Sequence, residues 1–265
     1  MTGRVLWRLV TINLNETLQY RGSFVIYMFS IVAGSIISLL VWLAVLDQGV
    51  RLPMDRQSLV TYYVLLGIVT MLTSSWICEF LAEKIRLGLL SPILLRPAPE
   101  ISNAIGNNLG EKIVKLVFLL PMVGLTALIF RDDLLLPTDP IAWALFAVAL
   151  PLAAATAFLI DYLIGSLAFW VEDVRGLSRV RTLVGAFLSG QIVPLALFPE
   201  WLVPYLRVQP FRYTLSFPLE VLTGRLTAGE ITLGFALQIG YCLVLWGAYR
   251  LAWHYGLRSY SASGA

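Results

Sequence analysis

Long uncharged apolar runs alternate with short polar joints along this chain, and that block pattern dominates any finer periodicity. Gly22–Leu46 and Gln57–Cys78 carry no charged residue. A membrane-crossing helix needs about 20 mostly apolar residues, so each run predicts one span. A polar stretch over residues 79–115 follows. Leu116–Phe130 is short, but Lys112 and Lys115 can carry their ammonium groups to the interface and lengthen it. Ile141–Val171 is interrupted only by Asp161, with Pro151 expected to kink it. Glu172–Arg181 reads as a charged link, and Thr182–Phe198 and Ile231–Tyr249 as the last two spans. The expectation is an all-α integral membrane protein, one domain over 1–265. Its six transmembrane helices fall at about 22–46, 57–78, 112–130, 141–171, 182–198 and 231–252.

Three segments between or before these runs carry their own signals. In residues 1–21, Arg4, Arg8, Thr11 and Asn15 line one helical stripe and Trp7, Val10, Leu14 and Leu18 another. That pattern suits an N-terminal interfacial helix with its basic face toward anionic headgroups. Over 79–100, Phe80–Gly88 reads as a short amphipathic helix closing on a glycine. The leucines that follow, among prolines and charges, either form a docking surface for a soluble partner or fold back onto the helix ends. Residues 199–230 hold Pro199, Pro204, Pro210 and Pro218 with aromatics between them. Such prolines preclude one continuous span, and a pair of short external helices is expected before the last span.

Composition sharpens this picture. Of 265 residues, 58% are apolar and 13% charged, and the mean hydropathy is +0.81. Soluble domains carry roughly 25% charged residues, so a soluble globule, a disordered chain and a nucleic-acid binder are excluded. With six spans both ends share one side. Arg51, Arg56, Arg131, Arg207, Arg212 and Arg225 fall opposite the ends, leaving 13 of the 19 Lys and Arg on the side of the ends. The positive-inside rule then places both termini in the cytoplasm. Two cysteines and a single histidine suggest neither a disulfide framework nor a metal site.

Candidate chemistry is sparse. Gly106–Lys112 is one residue short of a phosphate loop, and Glu111 would oppose a phosphate. A rhomboid-like intramembrane protease is weighed through Ser189 and His254, but the first glycine of its serine motif is missing and the two residues sit at different depths. A secondary transporter should show matching halves with broken helices, and none is visible in the sequence. A non-transporting membrane subunit would share the same composition. Asp161 is the single acid inside a span. About 20 residues at 1.5 Å each place it roughly 30 Å from the outer end of its helix. There it either pairs with Arg175 or Arg179 or serves a substrate or proton role.

The ordered motifs resemble a known family. Glu83-Lys84-Ile85-Arg86-Leu87-Gly88-Leu89-Leu90, closing on Leu94-Leu95-Arg96-Pro97, is similar to the segment after the second span in type-2 ABC exporter permeases. More narrowly, it resembles the branch called ABC-2 family transporter proteins. Gly165–Trp170, the run Gly190 to Leu195, Phe198-Pro199 and Gln209-Pro210-Phe211 resemble that branch too, in order along essentially the whole chain. The resemblance implies a permease subunit of the bacterial cytoplasmic membrane that is not itself an enzyme and binds no cofactor. It also implies separate ABC ATPase subunits, which hold ATP and Mg, and a second permease copy or a related permease. The translocation path would be supplied by spans one, two and five. The cytoplasmic coupling helix would meet the ATPase through Glu83, Lys84, Arg86 and Arg96 as charge partners and Leu89 and Leu90 as apolar anchors, with Gly88 and Pro97 shaping the turn.

Overall fold

The computed structural model describes Thr11, residues 21–96 and residues 99–260, the side chains of 21–28 excepted. The expected interfacial helix and Pro97 lie outside the described residues. Among those described there is no strand, and the chain is a succession of helices. These are α1 (Arg21–Asp47), α2 (Arg56–Thr73), α3 (Ile77–Arg86), α4 (Ser91–Leu94) and α5 (Glu100–Ile129). Then come α6 (Pro140–Ser166), α7 (Arg175–Leu188), α8 (Val203–Val208), α9 (Ser216–Leu222) and α10 (Ala228–Ser259), with short 3-10 turns between.

Polar joints set the helix starts. Asp55 caps α2 by accepting from the Ser58 N–H at 3.0 Å, Asp139 caps α6 ahead of Pro140, and Thr227 and Glu230 form a capping box on α10. Among the described residues, five stretches are long and apolar enough to cross a membrane: Phe29–Asp47, Arg56–Arg86, Glu100–Ile129, Pro140–Phe169 and Ala228–Ser259. The third starts well before residue 112, and its lysines do not reach for an interface. Lys115 is fully buried, 2.5 Å from Glu111 one turn back, and buried Lys112 donates to Asn108. Each ammonium finds a partner on its own helix, which removes the need to snorkel. Helix α6 runs on through Pro151.

Contacts at the helix ends give the directions. At one end Arg56 bridges Asp47 and Asp133, each at 3.0 Å, tying the end of α1 and the start of α2 to the loop after α5. At the other end Lys84 of α3 meets Glu100 of α5 at 2.7 Å. We call these the α2 end and the α3 end. Helices α6 and α10 run parallel. Gln238 donates to the Ala149 carbonyl, Thr156 lies against Cys242, and the rings of Tyr162 and Tyr249 are 5.0 Å apart. Phe169 then covers Gly256 at the α3 end. The chain between them therefore returns from the α3 end to the α2 end.

Where a fifth span is expected at 182–198, the described residues hold a shorter helix that starts earlier and is not among those long and apolar enough to cross a membrane. Helix α7 begins at Arg175, inside the supposed charged link, and ends at Leu188. Its 14 residues reach about 21 Å. Gly190, at φ +85°, then turns the chain. Its carbonyl accepts from the Tyr62 hydroxyl at 2.8 Å and that of Ile192 from Tyr63 at 2.8 Å, so the return is completed by irregular backbone held against α2.

Candidate coupling surface and intramembrane charge pair

Helix α3 is amphipathic for a visible reason. Ile77, Cys78, Leu81 and Ile85 are buried, facing α6 and α5, while Phe80 is exposed on the opposite side. Gly88, at φ +73°, ends it and lets the Leu90 N–H return to the Lys84 carbonyl at 3.2 Å. That turn divides the leucines. Leu87, Leu89 and Leu95 stand in the open, Leu95 at 89% exposure. Leu90 is fully buried among Ile101, Ala104 and Tyr162. As an apolar anchor for a partner, Leu90 is therefore corrected: a half-turn past the glycine it points into the core. Lys84 spends its charge on Glu100, whose own side chain is almost wholly buried. Glu83, Arg86 and Arg96 take no part in any ion pair closer than 4 Å among the described residues. Helix α4 docks on the end of α10 through Ser91 and Tyr260, 3.2 Å apart.

Asp161 has a different partner from either expected. It is fully buried, and Oδ1 lies 2.6 Å from Nη2 of Arg181, not of Arg175 or Arg179. Oδ2 accepts from the Ser75 hydroxyl and from the Cys78 N–H, both at 3.1 Å. The carboxylate thus caps the start of α3, where N–H groups lack intrahelical partners and negative charge is favoured. One acid on α6 holds α3 and α7 together. The sequence hid this because Arg181 looked like the tail of a polar link.

Helix α2 gives way to α3 through Ser74–Trp76, with Ser74 at ψ 144°. Two cavities flank this break. One, about 330 Å³, is lined by Cys78, Glu79, Asp161, Ser178 and Arg179. The other, about 280 Å³, is lined by Ile31 of α1, by Thr70, Thr73 and Ser74 of the α2 segment, and by Ser189 and Gln191 after α7. Behind the break, Lys115 donates to Ser74 and Asn108 to the Ser74 carbonyl, each at 3.4 Å. Among the described residues no group of three His, Cys, Asp or Glu could hold a metal ion.

The other motifs resolve simply. Gly106–Lys112 lies inside α5 as ordinary helix. His254 is exposed near the α3 end of α10, whereas the Ser189 carbonyl accepts from Ser216 close to the Tyr62–Gly190 contact. They do not meet.

A family model described as an ABC-2 family transporter protein matches residues 55–264. The chain belongs to that family. No curated protein and no solved structure matches it. As an ABC-2 family member it is a membrane permease of an ABC system, a multi-pass transport component without catalysis of its own. The match spans both the α3–α4 surface and the Asp161–Arg181 pair.

Proposed function

We propose that this ABC-2 family chain is the membrane half of an ATP-driven exporter of the bacterial cytoplasmic membrane. Two permeases, either two copies or this chain and a related one, form the path. Separate ATPase subunits hold ATP and Mg and drive it from the cytoplasm. The observation carrying this reading is the α3–α4 turn, where exposed Leu87, Leu89 and Leu95 stand near Glu83, Arg86 and Arg96 with no covering element among the described residues. Apolar side chains ringed by charges suit a soluble partner, the former for affinity and the latter for register.

Charge supports the orientation. The α3 end carries most of the Lys and Arg outside the helices' interior, so it faces the cytoplasm, with both termini. The parallel course of α6 and α10 supports α7 with its irregular extension as a sixth crossing, and 199–230 as the external segment. The path runs along the cleft bordered by α1, the α2 break and α7, whose walls mix hydroxyls with one arginine.

Reconstitution with the ATPase subunit tests this. Glu83→Ala with Arg96→Ala should leave the fold and ATPase binding of nucleotide intact while separating ATP hydrolysis from transport. Wild-type coupling in that double variant would refute the surface, and steady transport by the chain alone would refute the exporter.

A further inference from the structure

Resting on the exporter reading, we infer that Trp76 and Arg181 form a closed inner gate, held shut by Asp161, between the two cavities beside the α2 break. Trp76, Arg181 and Thr182 line both cavities and form the wall the two share. The larger cavity runs past Glu79 and exposed Arg179 toward the α3 end, whereas the smaller continues to Ser189, Gln191 and Thr214. Movement of these side chains would join them into one passage.

The pair is built to move. Helix α7 buries only Ser178 along its length, so its lower half is positioned chiefly by the Asp161–Arg181 contact. Its other end is anchored by Gln209 on the Leu188 carbonyl and by the tyrosine contacts to Gly190 and Ile192. It can therefore pivot about that end. Helix α3 joins α2 through unwound backbone and is held at its start by the same carboxylate. Nε of Arg181 is buried without a hydrogen-bond partner among the described residues, which leaves the closed state incompletely satisfied. If α3 tilts, Ser75 and the Cys78 N–H leave Oδ2, and the buried pair loses the hydrogen bonds that offset its desolvation, so its present position is no longer favoured over a wetter one. A displacement at the α3–α4 surface thereby reaches the wall between the cavities. Asp161 and Ser75 are positioning residues; Arg181 and Trp76 are the gate.

Thiol labelling tests the gate without any ATPase. In a chain carrying Cys78→Ser and Cys242→Ser, Gln191→Cys reports the smaller cavity and Glu79→Cys the larger. A membrane-impermeant maleimide is applied to inside-out vesicles, on the face bearing α3. Glu79→Cys, at an exposed position, should react in every background, which certifies access to the α3 face, and a melting temperature in detergent close to the parent chain's certifies the fold. Gln191→Cys should be protected, and Arg181→Ala should speed its labelling at least about tenfold, since breaking a buried pair shifts such an equilibrium strongly. Arg181→Lys, which keeps the charge, should restore protection, a rescue that a general loosening would not give. If the melting of Arg181→Ala shows that it fails to fold, Asp161→Asn carries the same test. Labelling of Gln191→Cys that is equal across these variants would overturn the gate. A second arm adds the ATPase subunit and ATP to the otherwise unaltered reporter. No response there, with the Arg181 effect present, counts against the exporter reading and leaves the gate supported.

Discussion

A Cβ placed on Gly165 would sit 2.9 Å from the Cys78 carbonyl oxygen and 3.0 Å from its Cα. Helix α6 therefore touches the first turn of α3 backbone to backbone, directly beside the Asp161 cap. Gly165→Ala should push α3 outward, costing about 1–3 kcal/mol as overpacking does, and loosen the hydrogen bond to Asp161. Thermal unfolding in detergent checks the first effect. Faster thiol labelling at Cys78 checks the second, and an unchanged melting temperature would show that the contact yields freely.

Adjacent leucines should behave oppositely. Leu90→Ala removes a fully buried side chain and should destabilise the chain by about 2–5 kcal/mol. Leu89→Ala, at 51% exposure, should change stability by no more than about 0.5 kcal/mol and instead weaken ATPase attachment. Paired melting and pull-down measurements separate the two.

Glu111→Gln should be costly in a way its partial exposure conceals. Lys115 is fully buried and leans on that carboxylate at 2.5 Å. Removing one member of a buried pair typically costs about 3–5 kcal/mol. Glu111→Gln with Lys115→Met, which removes both charges, should recover most of the loss. A double variant no more stable than the single would show that the pair contributes little.

Much of this architecture is legible from composition alone. Runs such as Gly22–Leu46 and Ile231–Tyr249 announce their helices because nothing but a bilayer or a core accepts so many uncharged residues. Charged helices are harder. Arg175, Arg179 and Arg181 made the start of α7 look like a link, because a residue count cannot see that Arg181 meets an acid on another helix. The same blindness affected Lys112 and Lys115, which meet Asn108 and Glu111 one turn back on α5 itself. Leu89 and Leu90 differ by one position and by everything in exposure, a distinction set by the left-handed turn at Gly88. Asp161 was visible as unusual; that it joins three helices was not, since Ser75, Cys78 and Arg181 lie far from it in sequence.

The α2 cap should respond to acid. The Ser58 hydroxyl and N–H hold the Asp55 carboxyl below its ordinary value. A depressed folded-state value means the stabilisation is present above the unfolded value, about 3.9. It is lost as the pH falls below that and through the lower folded one. Asp55→Ala should lower the melting temperature at neutral pH, a cap being worth about 1 kcal/mol. That difference should vanish in strongly acidic buffer. A difference independent of pH would assign the effect to something other than the charge.

The parallel course of α6 and α10 also constrains how the chain enters the bilayer as it is made. Helix α7 is too short and too rich in arginine to partition into lipid by itself. Were α7 the sixth crossing proposed above, it would have to be drawn in by a neighbour already embedded, and the acid on α6 is the one that neutralises Arg181. On that reading the helix made first serves as receptor for the one that follows it.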